Sequence, residues 1–379
     1  MKKRPWKPLQ PSPPITWCLV FSSPLPSDNP HFLPVQFMNK KYRAMQVVAP
    51  GVLEMTERPI PAPGPDEVLV RIEACGVCGA DLRDAEKAPL AGQSGRIPGH
   101  EIVGFITRKG NQVPDIWQTG QRVGIGRLGG YCQHCTPCRS GLFHLCENQL
   151  TPGLSCDGGY AEYIVMRHTA LIAIPSALSA VHAAPILCAG TATFNALRNS
   201  GARAGDRVAV LGLGGLGHMA VQYARKMGFE VTVIARGSEK EQAAFELGAH
   251  HYINILDENA SERLKNDGGV DFIVATAPAS EMVSALMSAL APRGKAILLG
   301  TGKTPLLVTP GMMIGAERTL IGSFVSTPVQ TERALQFSHL FQALPVTERL
   351  PFERANEALS RLKQGLARYR IVLTMNQDN

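Results

Sequence analysis

No apolar run in this 379-residue chain approaches the ~20 residues that a bilayer-spanning helix needs, which argues against a membrane protein. The apolar patch from Ile15 to Phe21 follows Met1-Lys2-Lys3-Arg4, but it is too short and too hemmed in by prolines for a secretory leader, so a cytoplasmic protein is expected. The body of the chain also lacks a charge excess. Lys2, Lys3, Arg4, Lys7, Lys40, Lys41 and Arg43 stand against Asp28 in the first 44 residues, so this tail carries six of the seven net positive charges. No basic stripe and no aromatic-basic motif lies behind them, and nucleic acid is not an expected partner. Periodicity is missing from the same 44 residues, which hold nine of the 28 prolines and read as a disordered or non-native extension. What remains exceeds one ordinary core, so two domains are expected.

Cysteine is where the chain is rich. Cys132, Cys135, Cys138 and Cys146 are spaced CxxCxxCx7C among polar and glycine-rich residues. Two-residue gaps let neighbouring thiolates converge on one tetrahedral ion, and four thiolates leave no open coordination position, so the spacing predicts a structural zinc site. An iron-sulfur cluster of the ferredoxin type would want a three-residue last gap and a proline after the fourth cysteine; the gap is seven and Glu147 follows. Disulfides would want an oxidising compartment.

Strand signals closely punctuated by glycine and proline run from Met45 to Val48, Glu67 to Glu73, Ile102 to Arg108 and Arg122 to Ile125, the pattern of a mostly antiparallel β domain. Helical periodicity appears at Ala183 to Leu197. Beyond it, strands at Arg207 to Leu211, Glu230 to Ala235, Val270 to Ala275 and Lys295 to Leu299 alternate with helical stretches, one of them Glu281 to Leu290, which predicts βαβ units and a parallel sheet. Two helices, Gln330 to Leu344 and Phe352 to Lys363, and a strand, Tyr369 to Leu373, close the chain.

Gly212, Gly214 and Gly217 spell GxGxxG between a strand and a helix, the context in which that motif binds a dinucleotide; the expected contacts are Gly212, Gly214, Gly215, Leu216 and Gly217. An acid at the end of the second strand would grip the adenosine ribose 2′ hydroxyl. Ala235 stands there instead, followed by Arg236 and, after Gly237-Ser238-Glu239, by Lys240. Cations suit a 2′ phosphate, so NADP(H) is expected over NAD(H).

Cys78 in GVCGAD, His100 and Glu101 in PGHE, and Cys188 in LCAG offer further zinc ligands, although their spacing alone is weak evidence. These motifs occur in one order with the four-cysteine lobe, DGGYAEY at Asp157 to Tyr163, GLGGLGHMAVQYA and the late GSF at Gly322 to Phe324. From about Met45 to Leu373 the chain resembles the zinc-dependent medium-chain alcohol dehydrogenases, and GHMAVQYARKMGFEVTVIA and RYRIVL resemble their NADP-dependent cinnamyl-alcohol branch. That resemblance implies an α/β plus mostly-β fold: a GroES-like catalytic domain over residues 45–185, rejoined by 322–379, with a doubly wound Rossmann domain inserted over 186–321. It implies two zinc ions per chain, the catalytic one on Cys78, His100 and Cys188. Glu101 would be a nearby carboxylate or occasional ligand, and Asp81 would orient His100. A small alcohol or aldehyde is the implied partner, and a homodimer or homotetramer the implied assembly.

Two positions after Cys78 the family usually carries a serine or threonine that starts a proton relay; here Ala80 stands there, and Arg83 takes the place of a relay histidine. Loss of such a relay costs general acid-base help worth roughly 10²- to 10⁴-fold. The same gap leaves an alternative function open, a catalytically weak nucleotide binder acting as a redox-state sensor.

Overall fold

The computed structural model describes residues 40–87 and 95–375. Its first strands are β1 (Lys41–Ala49), β2 (Val52–Pro59), β3 (Glu67–Val77), β4 (Ile102–Lys109), β5 (Arg122–Ile125), β6 (Tyr163–Arg167) and β7 (Leu171–Ala173). Then come β8 (Arg207–Leu211), β9 (Glu230–Ala235), β10 (His251–Asn254), β11 (Val270–Ala275), β12 (Leu290–Leu298) and β13 (Thr319–Gly322), and lastly β14 (Thr347–Pro351) and β15 (Arg370–Thr374).

Three sheets result. β1 and β2 pair as a hairpin, and a seven-stranded sheet runs β14-β15-β3-β4-β5-β7 with β6 also on β3. In that sheet only β14 and β15 run parallel to each other, which matches the expected antiparallel domain. The six-stranded sheet is parallel throughout, in the order β10-β9-β8-β11-β12-β13. Its central strands, such as RVAVL and EVTVIA, are apolar and buried along nearly their whole length, as strands covered on both faces must be. The strand order reverses between β8 and β11, where sheets of this kind open a crevice beyond the carboxyl ends of their strands.

A helical run, residues 180–199, joins the sheets. It consists of the helix Ala180–Pro185, a π-helical turn Ile186–Gly190 and the helix Thr191–Asn199. Pro185 has no N–H to give, and a π turn follows directly, a local irregularity of the kind found at functional sites. One core cluster reaches from Ala74 and Val103 of the first sheet through this run to Val208 and Val210 of the second.

Four readings of the sequence change. The run Ala180–Asn199 is long and apolar enough by length and composition to cross a membrane, yet 89% of its apolar window is buried within the fold. Thr191, Thr193 and Asn195 disguise it in the sequence, and all three are themselves buried. The boundary expected between residues 185 and 186 falls inside this continuous run. β1 begins at Lys41, so residues 41–44 of the expected extension are strand: Tyr42 and Ala44 are buried and Arg43 pairs with Glu162 and Glu353, a pattern masked by the surrounding cations. The rest of that extension lies outside the described residues. The helix expected through Leu290 ends at Leu286, because Leu290 enters the β12 ladder opposite Val270.

The returning C-terminal strands are pinned by Phe352, which is fully buried and carries the Arg43 guanidinium 5.2 Å from its ring centre. Phe352→Ala should therefore cost about 3–5 kcal/mol in urea unfolding. A loss within the roughly 0.5 kcal/mol of a surface substitution would show that this return is no part of the core.

Candidate functional site

The end of β3, the start of β4 and the π turn converge. Cys78 caps the helix Gly79–Ala85, which leaves β3 directly, and its backbone N–H donates to Asp81 Oδ2 at 2.8 Å. His100 and Glu101 immediately precede β4, and Cys188 sits in the π turn. Sequence positions 78, 100, 101 and 188 thereby place one ligand atom each within 4.8 Å of one another. The two sulfurs lie 3.8 Å apart.

Asp81 Oδ1 lies 2.9 Å from His100 Nδ1, and both side chains are wholly buried. With Nδ1 turned to Asp81, Nε2 is the ring nitrogen that faces the cluster, where it is buried with no hydrogen-bond partner. Burial works against a charged His100 ring, but Asp81 and the Cys78 sulfur outweigh it and hold the ring well above the ordinary histidine range. Glu101 is ion-paired to Arg370 through Oε1, while Oε2 is buried without a partner. Burial pushes Glu101 up to about 7 against the pull of Arg370. Room for its carboxylate comes from Gly76, where a Cβ would stand 2.0 Å from Oε2. The hydrogen bond between the sulfurs favours one thiolate, so Cys78 is lowered well below and Cys188 raised well above the usual thiol range.

Two sulfurs, an imidazole nitrogen and a carboxylate oxygen, two of them buried without a partner, form a donor set that suits zinc. Buried polar atoms are rarely left unanswered, and an ion at their centre would answer all four at once.

The sulfurs of Cys132, Cys135, Cys138 and Cys146 likewise lie within 4.8 Å of one another. Backbone N–H groups of Cys132 and Asn148 donate to Cys146 Sγ at 3.3 Å, and that of Cys135 donates to Cys132 Sγ at 3.4 Å. Such bonds favour thiolates. The Asn148 side-chain amide is the main influence pulling Cys132 down to about 5. Tyr131 stacks on Phe143 with ring centres 4.4 Å apart, and three of the four cysteines are buried beside them.

Beyond β8, the turn Gly212–Leu216 leads into the helix Gly217–Lys226 at the strand-order reversal. A Cβ on Gly217 would stand 1.9 Å from the Gly212 carbonyl oxygen, so only glycine lets helix and strand approach this closely. Gly214 faces open space, whereas a Cβ on Gly215 would meet Arg370 Nη1 at 2.7 Å. Arg370 thus stands between this turn and Glu101. Past β9, Arg236 is exposed, and Lys240 lies 3.9 Å from Glu239. From β10, Tyr252 Oη donates to the Gly237 carbonyl at 2.5 Å and Asn254 Oδ1 accepts the Gly237 N–H at 2.8 Å, fixing the turn that carries Arg236.

Residues 64–176 match the alcohol dehydrogenase GroES-like domain, and residues 215–339 match the zinc-binding dehydrogenase family. The alcohol dehydrogenase notN of Aspergillus sp. (strain MF297-2) is 39% identical over 324 residues, covering 86% of this chain and 95% of its own. The chain belongs to the zinc-dependent medium-chain alcohol dehydrogenase family. A probable cinnamyl alcohol dehydrogenase of Populus deltoides is 33% identical over 82% of this chain and 88% of its own. The structure of CAD from Helicobacter pylori complexed with NADP(H) superposes with a TM-score of 0.80 at 26% identity, covering 90% of this dehydrogenase and all of that chain.

Arg370 is one of three residues around the site that the sequence reading missed in this dehydrogenase. Its signal was an arginine at the head of the apolar strand IVL, where a cation needs a buried partner. Tyr160 and His218 were missed as well. His218 is buried in the helix after the glycine turn, stacks on Tyr369 at 5.0 Å and is pushed down to about 3, chiefly by burial and then by Arg370. Gly217→Ala forces that helix away from β8, and should weaken nucleotide binding at least about tenfold in a fluorescence titration, the loss expected when the anion-binding helix end is displaced. Unchanged affinity would contradict the close-packing argument.

Proposed function

We propose that this dehydrogenase interconverts an alcohol and its aldehyde or ketone with NADP(H) preferred over NAD(H), using one catalytic and one structural zinc per chain. The observation that carries the reading is the convergence of Cys78, His100, Glu101 and Cys188 on one point, with two of their donor atoms buried and unpartnered. Cys78, His100 and Cys188 would hold the catalytic ion with Glu101 beside it, and Cys132, Cys135, Cys138 and Cys146 would hold the structural one. Zinc bound there would supply a Lewis acid for the alcohol or carbonyl oxygen, and the bound nicotinamide would supply or accept the hydride.

The chain's own residues orient and exclude. Asp81 keeps the His100 proton on Nδ1, and Arg370 keeps Glu101 paired at its other oxygen. Ala80 is buried beside Cys78 and offers no hydroxyl, while Arg83 donates to the Gly79 carbonyl at 3.4 Å and remains charged, so neither moves a proton at neutral pH. The glycine turn Gly212 to Gly217 would seat the pyrophosphate, and Arg236 with Lys240 would meet the 2′ phosphate. The homodimer or homotetramer that the resemblance implies belongs to the same reading, with β13 at the end of the parallel sheet as the strand available for pairing. A sensor without turnover is not favoured, since relatives matching nearly the whole chain are named as dehydrogenases.

A panel of aldehydes with NADPH and of alcohols with NADP, followed at the nicotinamide absorbance, tests the activity; no turnover on any member would contradict it. For the cofactor, wild type should bind NADPH at least about tenfold tighter than NADH, a difference of the size one charge-assisted contact supplies. Arg236→Asp should abolish that preference, and an unchanged ratio would refute the assignment.

A further inference from the structure

Tyr160 is wholly buried, and its hydroxyl donates to Asp81 Oδ2 at 3.0 Å. The same oxygen accepts the Cys78 N–H at 2.8 Å, and the other oxygen of Asp81 lies 2.9 Å from His100 Nδ1. One carboxylate thus ties the backbone of one candidate ligand to the ring of another, and the phenol is its third contact. Tyr160 comes from a segment that also grips the backbone leading to His100. Gly158 N–H donates to the Ile97 carbonyl at 2.7 Å, Gly159 N–H to that of Gly99 at 3.0 Å, and Tyr160 N–H to that of Pro98 at 2.9 Å. Asp157 Oδ1 accepts the Ile97 N–H at 3.2 Å. The ring itself lies on Gly99, where a Cβ would stand 2.6 Å from Tyr160 Cδ1.

We propose that Tyr160 is a positioning residue for the metal centre: its hydroxyl, acting through Asp81, fixes the orientation of His100 and so sets zinc affinity at Cys78, His100 and Cys188. The inference rests on the reading of that cluster as the catalytic zinc site. It follows from the hydrogen-bond geometry. With the phenol in place, Oδ2 is held from two directions, and this sets where Oδ1 stands, 2.9 Å from the imidazole nitrogen. Without it, Oδ2 keeps only the Cys78 N–H, the carboxylate is free to swing about that one bond, and the ring that depends on Oδ1 follows it. Groups standing behind a metal ligand in this way typically change metal affinity or activity by about 10- to 100-fold when removed. The four-cysteine lobe has no part in this chain of contacts. A tyrosine that merely filled the core would lower global stability and leave both zinc affinities alone.

The test uses the zinc-loaded full chain and a chromophoric chelator at fixed pH, comparing wild type, Tyr160→Phe, Asp81→Asn and the double variant. Phe keeps the buried ring and removes the hydroxyl. Expected is that Tyr160→Phe yields one of its two zinc ions at a chelator concentration at least about tenfold lower than wild type, while the second ion is unaffected. The thiolate-to-metal absorption of the cobalt-substituted protein should shift in the same variant. In the Asp81→Asn background the Tyr160→Phe step should add less than about twofold, because contacts in one network are not additive. Zinc release within about twofold of wild type in Tyr160→Phe would overturn the proposal, as would an equal effect in both backgrounds. Should Tyr160→Phe not fold, Asp81→Asn alone decides: it must weaken the same ion, and full retention overturns the proposal. A wild-type chain holding a single zinc would instead refute the underlying reading of the cluster.

Discussion

A carboxylate in a dry interior must be answered by a donor or a cation, and this constraint organises the centre of the molecule. Asp81 and Glu101 are both wholly buried. Asp81 is answered by the Cys78 N–H, the Tyr160 hydroxyl and the His100 ring; Glu101 is answered by Arg370. Because those partners come from the residue after β3, the segment before β4, the segment after Asp157 and β15, satisfying two carboxylates fixes the relative placement of four distant stretches of chain. The Nε2 of His100 and the Oε2 of Glu101 keep no hydrogen-bond partner, and both belong to the four donors that meet. The cost of burying these groups is partly offset by their mutual contacts, and an ion would answer the two donors left without partners.

Much of this was legible in the sequence wherever chemistry is local. The four cysteines of the lobe lie within fifteen residues, so their spacing reports their geometry directly. The glycine turn was legible for the same reason, since a strand, a turn and a helix follow one another without interruption. β5, β8, β9 and β11 were placed to the residue because apolar or alternating runs bounded by glycine and polar residues are strong signals. Cys78, His100 and Cys188 were different. Nothing in their spacing revealed convergence, and only the resemblance to a known family joined them. Arg370 and Tyr160 escaped altogether, because the partner that gives each its meaning lies 269 or 79 residues away in the chain.

Where sequence reading placed a helix through Leu290 or missed the apolar character of residues 180–199, tertiary context had overridden the local pattern. Leu290 joins a parallel ladder, and the threonines and asparagine of the long helix are buried among themselves and Ser326 and Thr331. The same long helix carries Cys188 on its π turn. The element packed between the two sheets thus also carries the last sulfur of the cluster. Ala80 fits this picture as a position beside the donors that contributes packing and no proton chemistry.

Metal content tests the account most directly. Elemental analysis of the purified full chain should find two zinc ions per chain, and the paired substitution Cys78→Ser with Cys188→Ser should remove one while the lobe retains the other. One zinc or none in the wild type, or two in the doubly substituted chain, would contradict the claim that these buried donors were assembled to hold a metal.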